Sequence, residues 1–94
     1  MQIEFVSPES EINPEDDNVD VHVRLSDGRA YSILVATPKN IYRSMENESI
    51  DYFFGTPPLF VRRLTRENVE RAIRALLSDP NAINFYAVTQ TREP

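Results

Sequence analysis

Val19-Asp-Val-His-Val-Arg-Leu-Ser-Asp27-Gly28-Arg-Ala-Tyr-Ser-Ile-Leu-Val-Ala36 is the stretch whose reading decides the fold. On both sides of Asp27-Gly28, β-branched and aromatic residues alternate with polar ones, the pattern of two antiparallel strands joined by a tight turn. Asp-Gly favours a two-residue type I′ loop, whose central residues both need positive φ. That loop length places Ser26 opposite Arg29, Arg24 opposite Tyr31 and His22 opposite Ile33. Val19, Val21, Val23 and Leu25 then share the core face with Ala30, Ser32, Leu34 and Ala36. The other face carries Asp20, His22 and Arg24 beside Arg29, Tyr31, Ile33 and Val35. A loop longer by one residue reverses the second strand, because side chains alternate with a period of two.

Working outward, Gln2 to Val6 alternates with Ile3 and Phe5 on one side and predicts a short strand. Residues 7–18 hold two prolines, several carboxylates and only Ile12 to bury, which predicts an acidic mobile loop. After the hairpin, Thr37-Pro38 is a helix start, with Thr accepting an orphan N–H and Pro occupying a position that needs no donor. That helix is expected over 38–47, with a narrow apolar stripe of Ile41, Tyr42 and Met45 laid on the sheet. Ile50 to Phe54 predicts a short strand broken by Gly55-Thr-Pro-Pro58, and Leu59 to Leu64 predicts another strand. Thr65 caps a second helix, in which Val69, Ala72, Ile73, Leu76 and Leu77 form one apolar face. Asp79-Pro80 ends it, and residues 83–88 fit a last strand or a short helix, with strand preferred.

These elements predict one α+β domain over residues 1–94, an antiparallel sheet of about five strands with two helices, the second helix covering one face. A chain of 94 residues fits one domain, since domains commonly hold roughly 100 to 150 residues. Such a size leaves no room for a deep internal cofactor cavity. With no cysteine, thiolate chemistry and disulfides are excluded, which favours a reducing compartment. The N-terminus lacks the charged and apolar regions of a signal peptide, and no apolar run is long enough for a membrane span. A cytoplasmic location is expected.

Charge is strongly segregated. Seven carboxylates and no basic residue precede position 21; ten Lys/Arg and eight Asp/Glu follow it, for a net −5. A one-signed field acts on partners beyond single contacts, and an acidic tract can imitate a phosphate backbone against a basic protein. Glu15, Asp16, Asp17 and Asp20 are therefore candidate partner-binding residues. They match no calcium-loop spacing, so a solvated loop is the plainer alternative. Among the basic residues, Arg62, Arg63 and Arg66 cluster, followed by Arg71 and Arg74. The pairs Glu67 with Arg71 and Glu70 with Arg74 have the i,i+4 spacing of a solvated helix face. The overall acidity argues against nucleic-acid binding.

Catalytic motifs are absent from the sequence. Its two glycines, Gly28 and Gly55, cannot build a phosphate loop, and there is no zincin pair or nucleophile elbow. A single histidine excludes a multi-histidine metal site within one chain. His22 reads first as a strand residue on the half-exposed sheet face. As a general base it would need a positioned partner, which the register above does not supply. Tyr52, Phe53 and Phe54 form the best candidate contact surface, because consecutive strand residues point to opposite faces and cannot all enter one core layer. Packing into the core or a loop is the plainer alternative for them, and a protein-binding patch is the sharper one because large aromatics are favoured interface anchors.

Asp27-Gly28-Arg29-x-Tyr31, Thr37-Pro38-x-Asn40-Ile41 with Met45, Tyr52-Phe53, and Val61-Arg62-x-Leu64-Thr65-x-Glu67 together resemble a family of small uncharacterised bacterial proteins. The likeness spans about residues 19 to 78 and rests mostly on turn, cap and core signals. It therefore implies a fold more than a function. By analogy with such small domains, it implies an interaction protein, including an immunity-type partner that neutralises a basic protein such as a nuclease toxin. Self-association through Tyr52 to Phe54, as a possible homodimer, is the alternative. An enzyme using His22, Tyr31 and Arg24 is the third reading. The leading expectation is a non-enzymatic protein-binding module with no cofactor, no metal, no nucleic acid and no membrane partner.

Overall fold

The computed structural model describes residues 1–54, 57–86 and 89–90, with side chains as far as Asn84. Its elements run β1 (Gln2–Phe5), a 3-10 turn (Glu9–Glu11), β2 (Asn18–Arg24), β3 (Ala30–Ala36), α1 (Pro38–Asn47), β4 (Leu59–Phe60), α2 (Arg66–Leu77), α3 (Pro80–Tyr86) and β5 (Thr89–Gln90). The order is α+β, as expected. β1, β2 and β3 form an antiparallel meander. The other edge of β3 is shared by two short strands: β4 runs parallel beside Val35 and Ala36, and β5 antiparallel beside Tyr31 and Ser32. The sheet is thus mixed rather than purely antiparallel, and a third helix accompanies the two predicted.

The hairpin loop is one residue longer than the Asp-Gly signal predicts, and it begins at Ser26. The Leu25 N–H donates to the Arg29 carbonyl at 2.9 Å and the Gly28 N–H to the Leu25 carbonyl at 3.1 Å. Ser26, Asp27 and Gly28 therefore make a three-residue loop in which Gly28 alone has positive φ, at 93°. This is a type I turn followed by a left-handed glycine, a common hairpin connection. Asp27 stabilises it from the side chain, accepting from the Arg29 N–H at 3.1 Å and from Arg29 Nε at 2.8 Å. As a result Val23 pairs with Tyr31, His22 with Ser32 and Val21 with Ile33. The predicted register is corrected: Ile33 and Val35 join the core, while Ser32 and Leu34 move to the opposite face.

The core consists of Val19, Val21 and Val23 from β2, Ile33 and Val35 from β3, Val61 and Leu64 from the segment after β4, and Val69, Ile73 and Leu76 from α2. Ala72 and Leu77 pack against it, so the predicted apolar face of α2 is the one buried. Thr65 caps α2 as expected, accepting from the Asn68 N–H at 3.2 Å. α1 occupies its predicted range but is held differently. Its one buried residue is Asn40, and Ile41 and Met45 are half-buried. Polar contacts rather than an apolar stripe fix it.

Three further expectations are corrected. Ile50 to Phe54 is not a strand; Ser49, with φ of 58°, turns the chain, and the Ile50 N–H returns to the Met45 carbonyl at 3.0 Å. The strand expected over 59–64 is limited to Leu59 and Phe60. Residues 80–86 are helical, because Asp79 Oδ1 accepts from the N–H groups of Asn81 and Ala82 and Pro80 suits the first turn. Gly55 and Thr56 of the predicted break, and Ala87 and Val88 of the predicted last strand, lie outside the described residues.

Candidate functional site

Of the acidic N-terminal candidates, Glu15 and Asp16 are engaged with the protein's own basic residues, as is Glu9. Glu9 receives Arg66 on both oxygens, Nε at 3.1 Å and Nη2 at 3.0 Å. The same guanidinium lies 4.6 Å from the Phe5 ring centroid and donates from Nη1 to the Ile3 carbonyl at 3.2 Å. Arg66 thereby closes part of the outer edge of β1, where an unpaired carbonyl would otherwise invite another strand. Glu15 pairs with Arg63 Nε at 2.7 Å. Asp16 is bound in a fork by Arg43, Nε to Oδ2 at 2.6 Å and Nη2 to Oδ1 at 3.1 Å. Such planar two-point pairing is what Arg does well.

Asp16 and Asp17 also join the N-terminus of α1. Asn40 donates from Nδ2 to Asp16 Oδ1 at 3.1 Å, and its Oδ1 accepts from Asn18 Nδ2 at 2.8 Å. The Thr37 N–H donates to the Asp17 carbonyl at 3.1 Å, and Thr37 Oγ1 accepts from the N–H groups of Asp17 and Asn40, each at 3.2 Å. Asp17 spends its carboxylate locally, accepting from the N–H groups of Asn13 at 2.9 Å and Asn18 at 2.8 Å. The Leu64 N–H meets the Pro14 carbonyl at 2.8 Å. Residues 7–18 are therefore tied to α1, to the α2 approach and to the edge strand. The Arg66 hydrogen bonds hold the Glu9 carboxyl below its ordinary value, and those of Arg43, aided by Asn40, do the same for Asp16.

Asp20 differs from its neighbours. It sits exposed on β2, outward from the core, and takes part in no side-chain hydrogen bond or ion pair among the described residues. On α2, Glu67 lies 3.9 Å from Arg71 as expected, whereas Glu70 lies 3.9 Å from Arg66 instead of meeting Arg74.

A shallow pocket of about 280 Å³ is lined by Gln2, Glu4, His22, Arg24 and Ser32 of the outer sheet face together with Val23 and Tyr31. The register pairs Tyr31 with core Val23, so Tyr31 does not share the face of His22 and Arg24, contrary to expectation. Cross-strand pairing aligns Glu4, His22 and Ser32 in one row. This juxtaposition was hidden by the two-residue loop register, which set Ile33 opposite His22. His22 Nδ1 stands 3.9 Å from Glu4 Oε1, with both side chains more than half exposed. At that separation in water the pair is a weak, screened contact. No hydrogen bond joins Ser32 to His22 among the described residues, so the row lacks the positioned base that nucleophilic catalysis requires. Among the described residues no group of three His, Cys, Asp or Glu side chains is placed to hold a metal ion, and no helix is long and apolar enough to cross a membrane.

The aromatic candidates are all exposed, and Phe54 is the most exposed large apolar side chain among the described residues. Tyr52 is 61%, Phe53 44% and Phe54 82% accessible, and Tyr42 and Phe60 are also exposed. The Tyr52 and Phe54 rings stack with centroids 6.0 Å apart and planes 18° apart. The strand alternation expected here required only that some of the three be exposed; that strand is absent, and all three are exposed. The Tyr42 phenol is raised by its hydrogen bond to the Glu46 carboxylate one turn on. Comparison with known proteins returned no matching family model, curated protein or solved structure.

Proposed function

We propose that this chain is a protein-interaction module whose contact surface is the segment carrying Tyr52, Phe53 and Phe54. The exposure of all three aromatics, with Tyr52 and Phe54 stacked in solvent, is the observation that carries this reading. Three adjacent large aromatics facing water cost free energy that burial against a partner recovers, at roughly 25 cal/mol per Å² of apolar surface. A neutralising, immunity-type role is the form of this module that the family resemblance favours. The test compares affinity capture by the intact chain and by Phe54→Ser, with quantitative mass spectrometry of the retained proteins. A partner retained by the first and lost from the second is the expected result. An identical retained set overturns the assignment of this surface.

A second reading, self-association through the same aromatics, shares the observation and separates by concentration dependence. Light scattering of a dimer that Phe54→Ser converts to monomer would establish it. A monomer at high concentration leaves the hetero-interaction reading.

A further inference from the structure

From Ser44 to Phe54 the chain carries Glu46, Glu48 and Asp51 and no Lys or Arg. All three acidic residues are exposed, and among the described residues none of them is in an ion pair with Lys or Arg. Among the N-terminal acids, Glu9, Glu15 and Asp16 are in the opposite condition, matched to Arg66, Arg63 and Arg43. Three uncompensated carboxylates thus lie on the same segment as the exposed aromatics. We infer that the acidic and aromatic surface of residues 46–54 docks an arginine-rich segment of a partner protein. This inference rests on the interaction-module reading and specifies the partner's chemistry.

Guanidinium satisfies both features of the surface at once. Its flat face stacks on aromatic rings, and its edge donates to carboxylates in a planar fork. Tyr52 and Phe54 present nearly parallel rings, and Asp51 precedes them directly in the chain. The protein already contains this arrangement in intramolecular form: Arg66 lies over Phe5 while both Glu9 oxygens accept from it. A compact ammonium would meet the charge but match the rings less well. An acidic partner is disfavoured by repulsion, and a purely apolar one leaves the carboxylates facing it without counter-charge.

The experiment titrates the full-length protein with short oligoarginine and oligolysine peptides of equal length, following backbone amides by NMR. Oligoarginine is expected to shift the amides of residues 46–54 and to bind about two- to fivefold more tightly than oligolysine, as a cation–π contribution at an exposed site implies. That preference should disappear in Phe53→Ala/Phe54→Ala, and Glu48→Gln/Asp51→Asn should weaken both peptides. Equal affinities, absence of binding, or shifts centred on residues 9–20 overturn the inference. Capture of the cellular partner separates it from its premise. If Phe54→Ser abolishes capture while Glu48→Gln/Asp51→Asn retains it fully, the module stands and the basic partner falls. If Phe54→Ser changes nothing, both fall.

Discussion

Replacing Ile33 by alanine tests the three-residue hairpin loop on which the sheet's faces depend. Ile33 is 1% exposed and belongs to the core with Val21, Val35 and residues of α2. The substitution removes three buried carbons, worth about 0.8 kcal/mol each, or roughly 2.4 kcal/mol of transfer free energy. The cavity left behind adds to this, placing the total loss near 3.5 kcal/mol within the usual range of about 2–5. For a domain of this size each kcal/mol lowers Tm by about 4–8 °C, so a fall of roughly 14–28 °C is expected. Ser32→Ala, on the outer face opposite His22, should stay within about 0.5 kcal/mol of the parent. Leu34→Ala, half-buried on that face, should fall between them. Urea unfolding followed by circular dichroism, with the slope m checked for constancy, measures all three. A loss below about 1 kcal/mol for Ile33→Ala together with more than about 3 kcal/mol for Leu34→Ala is the pattern of the two-residue loop. Such a result would refute the register.

Four further outcomes follow from the same geometry. Gly28→Ala should cost more than about 1 kcal/mol in urea unfolding, with Gly28→Asn milder; nothing lies within 4 Å of the Cβ position, so positive φ is the sole obstacle. Asn40→Ala removes hydrogen bonds to Asp16 and Asn18 from a residue 5% exposed, and should lower stability by about 1–3 kcal/mol, with increased amide exchange across residues 13–18. Stability should fall on acidification, because Glu9 and Asp16 have folded values below their ordinary 4.5 and 3.8. Their contribution is present above those ordinary values and is lost as pH drops through the lowered ones; an Arg66→Gln/Arg43→Gln variant should show a shallower acid limb, measured by thermal melts from neutral pH downward. Thr65→Ala should cost about 1 kcal/mol by losing the cap of α2, read by thermal denaturation.

Legibility in the sequence tracked the range of the interaction. The valines at 19, 21 and 23 could be assigned to the core because alternation within a strand is a local property. So could the face of α2 and the caps at Thr37 and Thr65, where side chain and backbone partner lie three residues apart. The β3 faces required the loop length, and Asp-Gly is compatible with both a two-residue loop and the three-residue loop found here. Asp79-Pro80 ends α2 but is equally a helix start, as the N–H groups of Asn81 and Ala82 bound to Asp79 show.

The candidate site divides along the same line. From sequence alone came the exposed aromatics at 52–54 and the segregation of charge. Only the tertiary structure decided where that charge acts, since Glu9, Glu15 and Asp16 find Arg66, Arg63 and Arg43 across long stretches of chain. Composition counts charges but carries no distances, and Coulomb interactions depend on distance and on the counter-charge already in place. The fold therefore neutralises part of the acidic tract that dominates the sequence and leaves Glu46, Glu48 and Asp51 exposed on the segment that carries the aromatics.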